Sequence, residues 1–210
     1  MKLHGYFRSS AAWRVRIALN LKGVAVEHVP HHLRKGEHCL PAYLAKNPQG
    51  FVPTLELDDG TLLTQSLAIL EWLDEAHPDP PLLPPDPVRR ARVRAFALAI
   101  ACDIHPLQNL KSLGRLRSYG LPEDAVTGWA ATANADGLAA CERLIANERG
   151  PFCFGETPTL ADICLVPQLF GARRFGADVG QFKRLLAAEA ACAGVEAFAA
   201  AQPERQIDAE

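Results

Sequence analysis

The chain predicts an α+β domain followed by an all-helical one, and three observations carry that reading. Strand and helix signals alternate through roughly the first eighty residues. A proline-crowded stretch then interrupts every periodicity, and beyond it alanine and leucine recur at helical spacing. With 210 residues, 49% of them hydrophobic, there is apolar material for two modest cores.

The elements follow in order. Residues 3–7 form a short apolar and aromatic run that reads as a strand. A helix is expected over 11–22, stopped at Gly23, a residue suited to the left-handed turn after a helix. The stretch 24–29 reads as a second strand, with Val24, Val26 and His28 on one side. A short helix over 37–46 ends at Asn47-Pro48. Strands over 54–57 and 62–64 are joined by Asp58-Asp59-Gly60, and Asp-Gly between apolar runs predicts a hairpin. Ser66 is expected to cap a helix on which Leu67, Leu70, Trp72 and Leu73 recur at helical spacing. The order β-α-β-α-β-β-α points to an α+β sheet carrying helices, not to an all-parallel sheet.

Pro78, Pro80, Pro81, Pro84, Pro85 and Pro87 allow neither a helix interior nor a central strand, so 77–87 reads as a linker. It separates a domain over 1–80 from a helical one over 88–210. Helices are expected near 88–112, 123–147, 159–174 and 182–200. At the third of these, the Thr159 hydroxyl can cap the helix while Asp162 reaches back to the Thr159 N–H. That is a capping box with Asp in place of Glu or Gln, and Pro158 can staple against Ile163.

Composition excludes several classes of function. A formal net charge of −2 points away from a nucleic-acid partner, which would normally need a basic face, although it leaves room for a local patch of one sign. No run approaches the ~20 apolar residues of a membrane span, and 1–8 lacks the apolar stretch of a signal peptide. The expected location is the cytoplasm. The six cysteines are scattered with no C-x-x-C pair, and read as small thiols in a reducing compartment. His28, His31, His32 and His38 cluster, but no cysteine or carboxylate is placed to complete a metal site, so none is expected.

Three segments could carry chemistry. Arg8-Ser9-Ser10 opens the first helix, where unpaired N–H groups and the helix dipole favour an anion and ease the deprotonation of a thiol. A plain helix cap explains the same serines. Val52-Pro53 stands just before a strand, where a cis turn would expose the Val52 N–H and C=O to an extended peptide ligand. Gln65-Ser66 again precedes a helix, a place for a carboxylate.

The stretch from Arg8 to Leu19, R-S-S-A-A-W-R-V-R-I-A-L, resembles the zeta-class glutathione transferase signature R-S-S-C-x-W-R-V-R-I-A-L. The resemblance continues through Leu44-Ala45-Lys46-Asn47-Pro48, Val52-Pro53-Thr54-Leu55 and Gln65-Ser66-Leu67-Ala68-Ile69. It returns in His105-Pro106-Leu107-Gln108-Asn109-Leu110, in the Thr157 to Asp162 segment, in Leu165-Val166-Pro167-Gln168 and in the stretch from Gln202 to Asp208. It implies a thioredoxin-like N-terminal domain binding glutathione, an all-α C-terminal domain covering a small-molecule co-substrate, and a homodimer. It further implies that Ser9 bonds the glutathione sulfur, with Ser10 as a second contact. Val52 would pair with the cysteinyl backbone beside a cis Pro53, and Gln65 and Ser66 would bind the γ-glutamyl end. His38 and His105 would line the peptide, and Arg8 and Arg174 would hold the carboxylate and keto oxygens of the substrate.

The activity implied is the glutathione-dependent cis–trans isomerisation of maleylacetoacetate to fumarylacetoacetate in tyrosine and phenylalanine catabolism. Maleylpyruvate isomerisation is the alternative, as is general transfer of glutathione to electrophiles and α-haloacids. A maleylpyruvate isomerase of the family would show an arginine after the His-Pro-x-x-Asn segment, where this chain has Leu110 and Lys111. One departure stands out: Ala11 occupies the position of the family's cysteine.

Overall fold

A computed structural model describes all residues, 1–210. The chain forms two compact units, Met1–Pro81 together with Gly194–Glu210, and Leu82–Ala193. The expected helical domain over 88–210 thus differs from the second unit at its far end, where the last stretch packs with the first unit.

The first unit holds β1 (Lys2–Gly5), α1 (Ser10–Leu21), β2 (Glu27–Pro30), α2 (Pro41–Leu44), β3 (Thr54–Glu56), β4 (Leu62–Thr64) and α3 (Ser66–Ala76). The sheet order is β2-β1-β3-β4. β1 runs parallel to β2, and the other two pairings are antiparallel. Leu3 and Leu55 face each other across β1 and β3, both buried; α1 and α3 pack together, and Val15 and Ile17 on the one and Ile69, Leu70 and Leu73 on the other are buried. The sheet is mixed and so, as the element order predicts, not all-parallel; the expected hairpin joins β3 to β4, and Gly60, at φ 85°, lies in its turn.

Three local expectations are corrected. The second strand starts only at Glu27, because the Val24 N–H still returns to the Leu19 C=O at 2.9 Å to close α1. Glu27 is where the chain joins the sheet, its N–H reaching Met1 C=O. The helix expected over 37–46 is a 3-10 turn, Glu37–Cys39, followed by short α2. Pro41 holds Leu40 extended, at ψ 146°, and so separates the two. Ser66 is not the cap of α3. Gln65 is, at φ 68°, its C=O accepting from Ile69 N–H, while Ser66 is already helical.

The second unit holds α4 (Pro87–Leu98), a π-helical segment (Ala99–Ile104), α5 (His105–Gln108), α6 (Leu110–Ser118), α7 (Glu123–Leu144), α8 (Leu160–Arg174) and α9 (Lys183–Ala193). The single helix expected over 88–112 is broken for two reasons. Pro106 supplies no N–H to the preceding turn. Asn109 adopts an extended conformation and caps α6, accepting Ser112 N–H at 2.9 Å. The helix expected over 182–200 is likewise two. Gly194 and extended Val195 end α9 before α10 (Glu196–Ala200), which packs against α1 of the first unit.

Inside the second unit, α5, α7 and α8 meet through amides. Asn134 donates to Gln108 Oε1 at 2.6 Å and accepts from Gln168 Nε2 at 2.7 Å. Gly171 packs closely there: a Cβ would lie 3.0 Å from Gln108 Nε2, so that amide would have to shift. The capping box at the start of α8 is present as expected, with Thr159 as cap and Asp162 reaching back.

Candidate active site

The register of the sheet gathers the first-unit candidates. His4 lies opposite Thr54, Thr54 opposite Thr64, and Gly5 beside Pro30. The residues after β1, after β2, before β3 and after β4 therefore sit at one end of the sheet. These carry Arg8, Ser9 and Ser10; His38; Val52 and Pro53; and Gln65 and Ser66.

Ser9 is the N-cap of α1, at φ −69° and ψ 114°, and its Oγ accepts Ala12 N–H at 3.2 Å. Its own N–H donates to Tyr6 C=O at 3.0 Å, so a tight turn presents the side chain. Ser10, half-buried, begins the helix. Arg8 folds back over aromatic faces, with its guanidinium 4.9 Å from the Phe7 ring centre and Nη2 donating to Tyr6 Oη at 3.2 Å.

The Val52-Pro53 peptide is cis. The chain before it is pinned at the Phe51 C=O, which accepts from Tyr43 Oη at 2.6 Å and Asn47 Nδ2 at 2.8 Å. Val52 packs with Tyr6, Phe7 and Tyr43, tying this loop to the turn that carries Ser9. Its main-chain N–H and C=O make no hydrogen bond within the chain. Gln65 Nε2 donates to Gln49 Oε1 at 2.8 Å, and no side chain caps the start of α3.

Ser66 is buried, and its Oγ accepts from Arg14 Nη1 at 3.3 Å. A cation with 1% exposure thus underlies the start of α3. Nothing local in the sequence shows which neighbour Arg14 reaches. His38 keeps a buried Nδ1 without a hydrogen-bond partner, and burial lowers its pKa. His105 and Arg174 belong to the second unit. His105 opens α5, and Arg174 ends α8 exposed, its guanidinium 5.7 Å from the Phe175 ring centre.

The histidine cluster has other work. His4 Nδ1 and His31 Nε2 share a hydrogen bond of 2.9 Å, and His4 Nε2 meets Glu56 Oε2 at 3.0 Å. Lys46 and His4 together hold the Glu56 carboxyl at a pKa of about 2. His32 caps a 3-10 turn through Nδ1. No group of three or more His, Cys, Asp or Glu side chains is gathered as for a metal ion, and no helix is long and apolar enough to cross a membrane.

Two family models match the chain: the glutathione S-transferase N-terminal domain over residues 3–81 and the C-terminal domain over 123–200. A maleylacetoacetate isomerase of Pseudomonas aeruginosa is 48% identical over 99% of this chain and 98% of its own. A maleylpyruvate isomerase of a Ralstonia species is 46% identical over 99% of both. A holo structure of maleylpyruvate isomerase, a bacterial zeta-class glutathione S-transferase, superposes with a TM-score of 0.97 over 100% of both chains at 46% identity.

Proposed function

The chain belongs to the glutathione S-transferase family, in its zeta class, and on that premise we propose that it is a glutathione-dependent isomerase converting maleylacetoacetate to fumarylacetoacetate. One observation carries the fit to glutathione. A capping serine at the start of α1, a main-chain N–H and C=O at Val52 without partners, and a helix start at Ser66 with no side-chain cap share one end of one sheet. The orphaned His38 Nδ1 adds a buried polar atom in want of a partner in the chain segment that leads to the same loop.

When bound, glutathione supplies a thiolate that adds reversibly to the cis double bond, allows rotation, and leaves unchanged. Ser9 Oγ–H donates to the sulfur, and the positive end of α1 lowers the cost of its charge. Val52 pairs as a strand partner with the peptide. Ser66, the α3 N–H groups and the Arg14 charge beneath them hold the γ-glutamyl carboxylate, and Gln65 adds an amide. Arg8 is assigned to the oxygens of the substrate, where a fixed cation stabilises developing negative charge. Ser10 is a second contact near the sulfur, and His105 and Arg174 are assigned on the resemblance alone. Ala11 takes no part in these contacts. It lies buried in the first turn of α1, so the Ser9 route stands without the family's cysteine.

Maleylpyruvate remains the second reading, supported by the Ralstonia relative and the superposed structure. Leu110 and Lys111 after Asn109 favour maleylacetoacetate. We further assign the enzyme to the cytoplasm, to aromatic amino-acid catabolism and to a homodimeric assembly, on the same resemblance.

The deciding experiment follows maleylacetoacetate absorbance with and without glutathione while free thiol is titrated. Loss of substrate that needs glutathione and leaves its concentration constant is the expected result. Stoichiometric thiol loss would make the enzyme a transferase, and no turnover would direct the assay to maleylpyruvate.

A further inference from the structure

The peptide unit between Tyr6 and Phe7 is held at both ends. Its C=O accepts Ser9 N–H at 3.0 Å and Arg16 Nη1 at 3.4 Å. Its N–H donates to Asp208 Oδ2 at 2.9 Å. The next carbonyl, Phe7, accepts Arg16 Nη2 at 2.8 Å. Two consecutive peptide planes before Ser9 are thus clamped, one of them by a residue 201 positions away in sequence.

The clamp is itself anchored. Arg16, at 5% exposure, also donates through Nε to Ala201 C=O at 3.2 Å, at the end of α10. Burial lowers its pKa to about 10, and the charge of Asp208 acts against that. The segment between is stiffened by Gln206 Nε2 on the Ala200 and Gln202 carbonyls, at 3.1 and 2.8 Å, and His32 Nε2 meets Glu210 Oε1 at 2.8 Å. The segment after α10 therefore acts as a strap across the β1–α1 turn.

We propose that Asp208 is a positioning residue for Ser9: by accepting the Phe7 N–H it fixes the peptide whose carbonyl seats the Ser9 backbone. This rests on the reading of Ser9 above. A turn that rotates freely about the Tyr6–Phe7 peptide moves the Ser9 hydroxyl and the first N–H groups of α1 together, and small displacements of such groups are costly to a reaction. Asp208 touches neither cofactor nor substrate. A purely structural counter-ion to Arg16 would change stability without changing how the thiol ionises.

The test compares Asp208→Ala, Asp208→Asn and Ser9→Ala. Asp208→Ala is expected to speed exchange of the Ser9 amide in the glutathione-free protein. It should also lower kcat about tenfold and move the acidic limb of the kcat pH profile up by about one unit, with the KM for glutathione within about twofold. Asp208→Asn keeps an acceptor oxygen and should restore all of these. If Ser9→Ala leaves the pH profile in place, the reading of Ser9 fails and the strap with it. If Ser9→Ala moves the profile and Asp208→Ala does not, or if Asp208→Asn is as impaired as Asp208→Ala, the strap alone is overturned. Should Asp208→Ala not fold, Asp208→Ser replaces it, since the shorter hydroxyl cannot span to Phe7 N–H and must shift the profile the same way.

Discussion

Asp162 offers a quantitative check on how the second unit is built. Its side chain is fully buried, and it accepts three hydrogen bonds. Oδ2 takes the Thr159 N–H at 2.8 Å and the Thr159 hydroxyl at 3.0 Å, and Oδ1 takes the Cys153 N–H at 2.8 Å. Alanine would leave two buried main-chain donors unpaired, each costing ~1–3 kcal/mol. The carboxylate's own desolvation, which raises its pKa, is relieved by the same change and returns part of that. A net loss of about 3 kcal/mol is expected, or a Tm lower by about 10 °C in a protein of this size. Asp162→Asn keeps one acceptor and should fall between, while Thr159→Ala, which loses a cap bond of 3.3 Å, should cost about 1 kcal/mol. Urea unfolding at pH 7 reads these directly. A loss below about 1 kcal/mol for Asp162→Ala would show that water or a shifted neighbour satisfies both donors, and would refute the account of this helix start.

Two further outcomes follow from the site and the sheet. Arg174→Ala should raise the substrate KM about tenfold, the worth of one charged hydrogen bond, with little change in glutathione KM. Arg173→Ala is the control, because Arg173 is engaged by Glu189 through two contacts of 2.6 Å, and an unchanged KM in Arg174→Ala removes that residue from the site. Acid should destabilise the first unit: burial lowers the pKa values of His28, His31 and His38 below 6.5. Their contribution is fully present above that value and is lost as pH falls below it, because the unfolded chain binds the extra protons. Glu56, held at about 2, adds a loss of the same sign between pH 4.5 and about 2. An unfolding free energy that stays flat from pH 7 to 5, or His31→Gln leaving its slope unchanged, would contradict this assignment.

What the sequence discloses and what it hides divide along the distance over which each feature is decided. The Asp59-Gly60 hairpin, the Ser9 cap and the Thr159–Asp162 box are closed by residues a few positions apart, and each is legible because the pattern that causes it lies in one short window. The start of α3 is misplaced by one residue for the opposite reason: the left-handed Gln65 is imposed by the path from β4, not by its own propensity. Val24 and Val26 alternate as a strand would, yet the closing turn of α1 claims Val24 first. The same limit hides Arg14, whose neighbour Ser66 is brought to it by the packing of α3 on α1, and Asp208, whose partner lies at the other end of the chain. The stretches that resemble a known signature contain both the residues proposed to meet a ligand and Arg14, Arg16 and Asp208, which hold their neighbours in place. The role of such holding residues carries no local signal, because a buried arginine or aspartate is defined by the group it meets after folding. A substitution series confined to the recognisable serines would therefore measure the contacts of the site and leave its rigidity untouched, although two clamped peptide planes before Ser9 are what give that contact a fixed position.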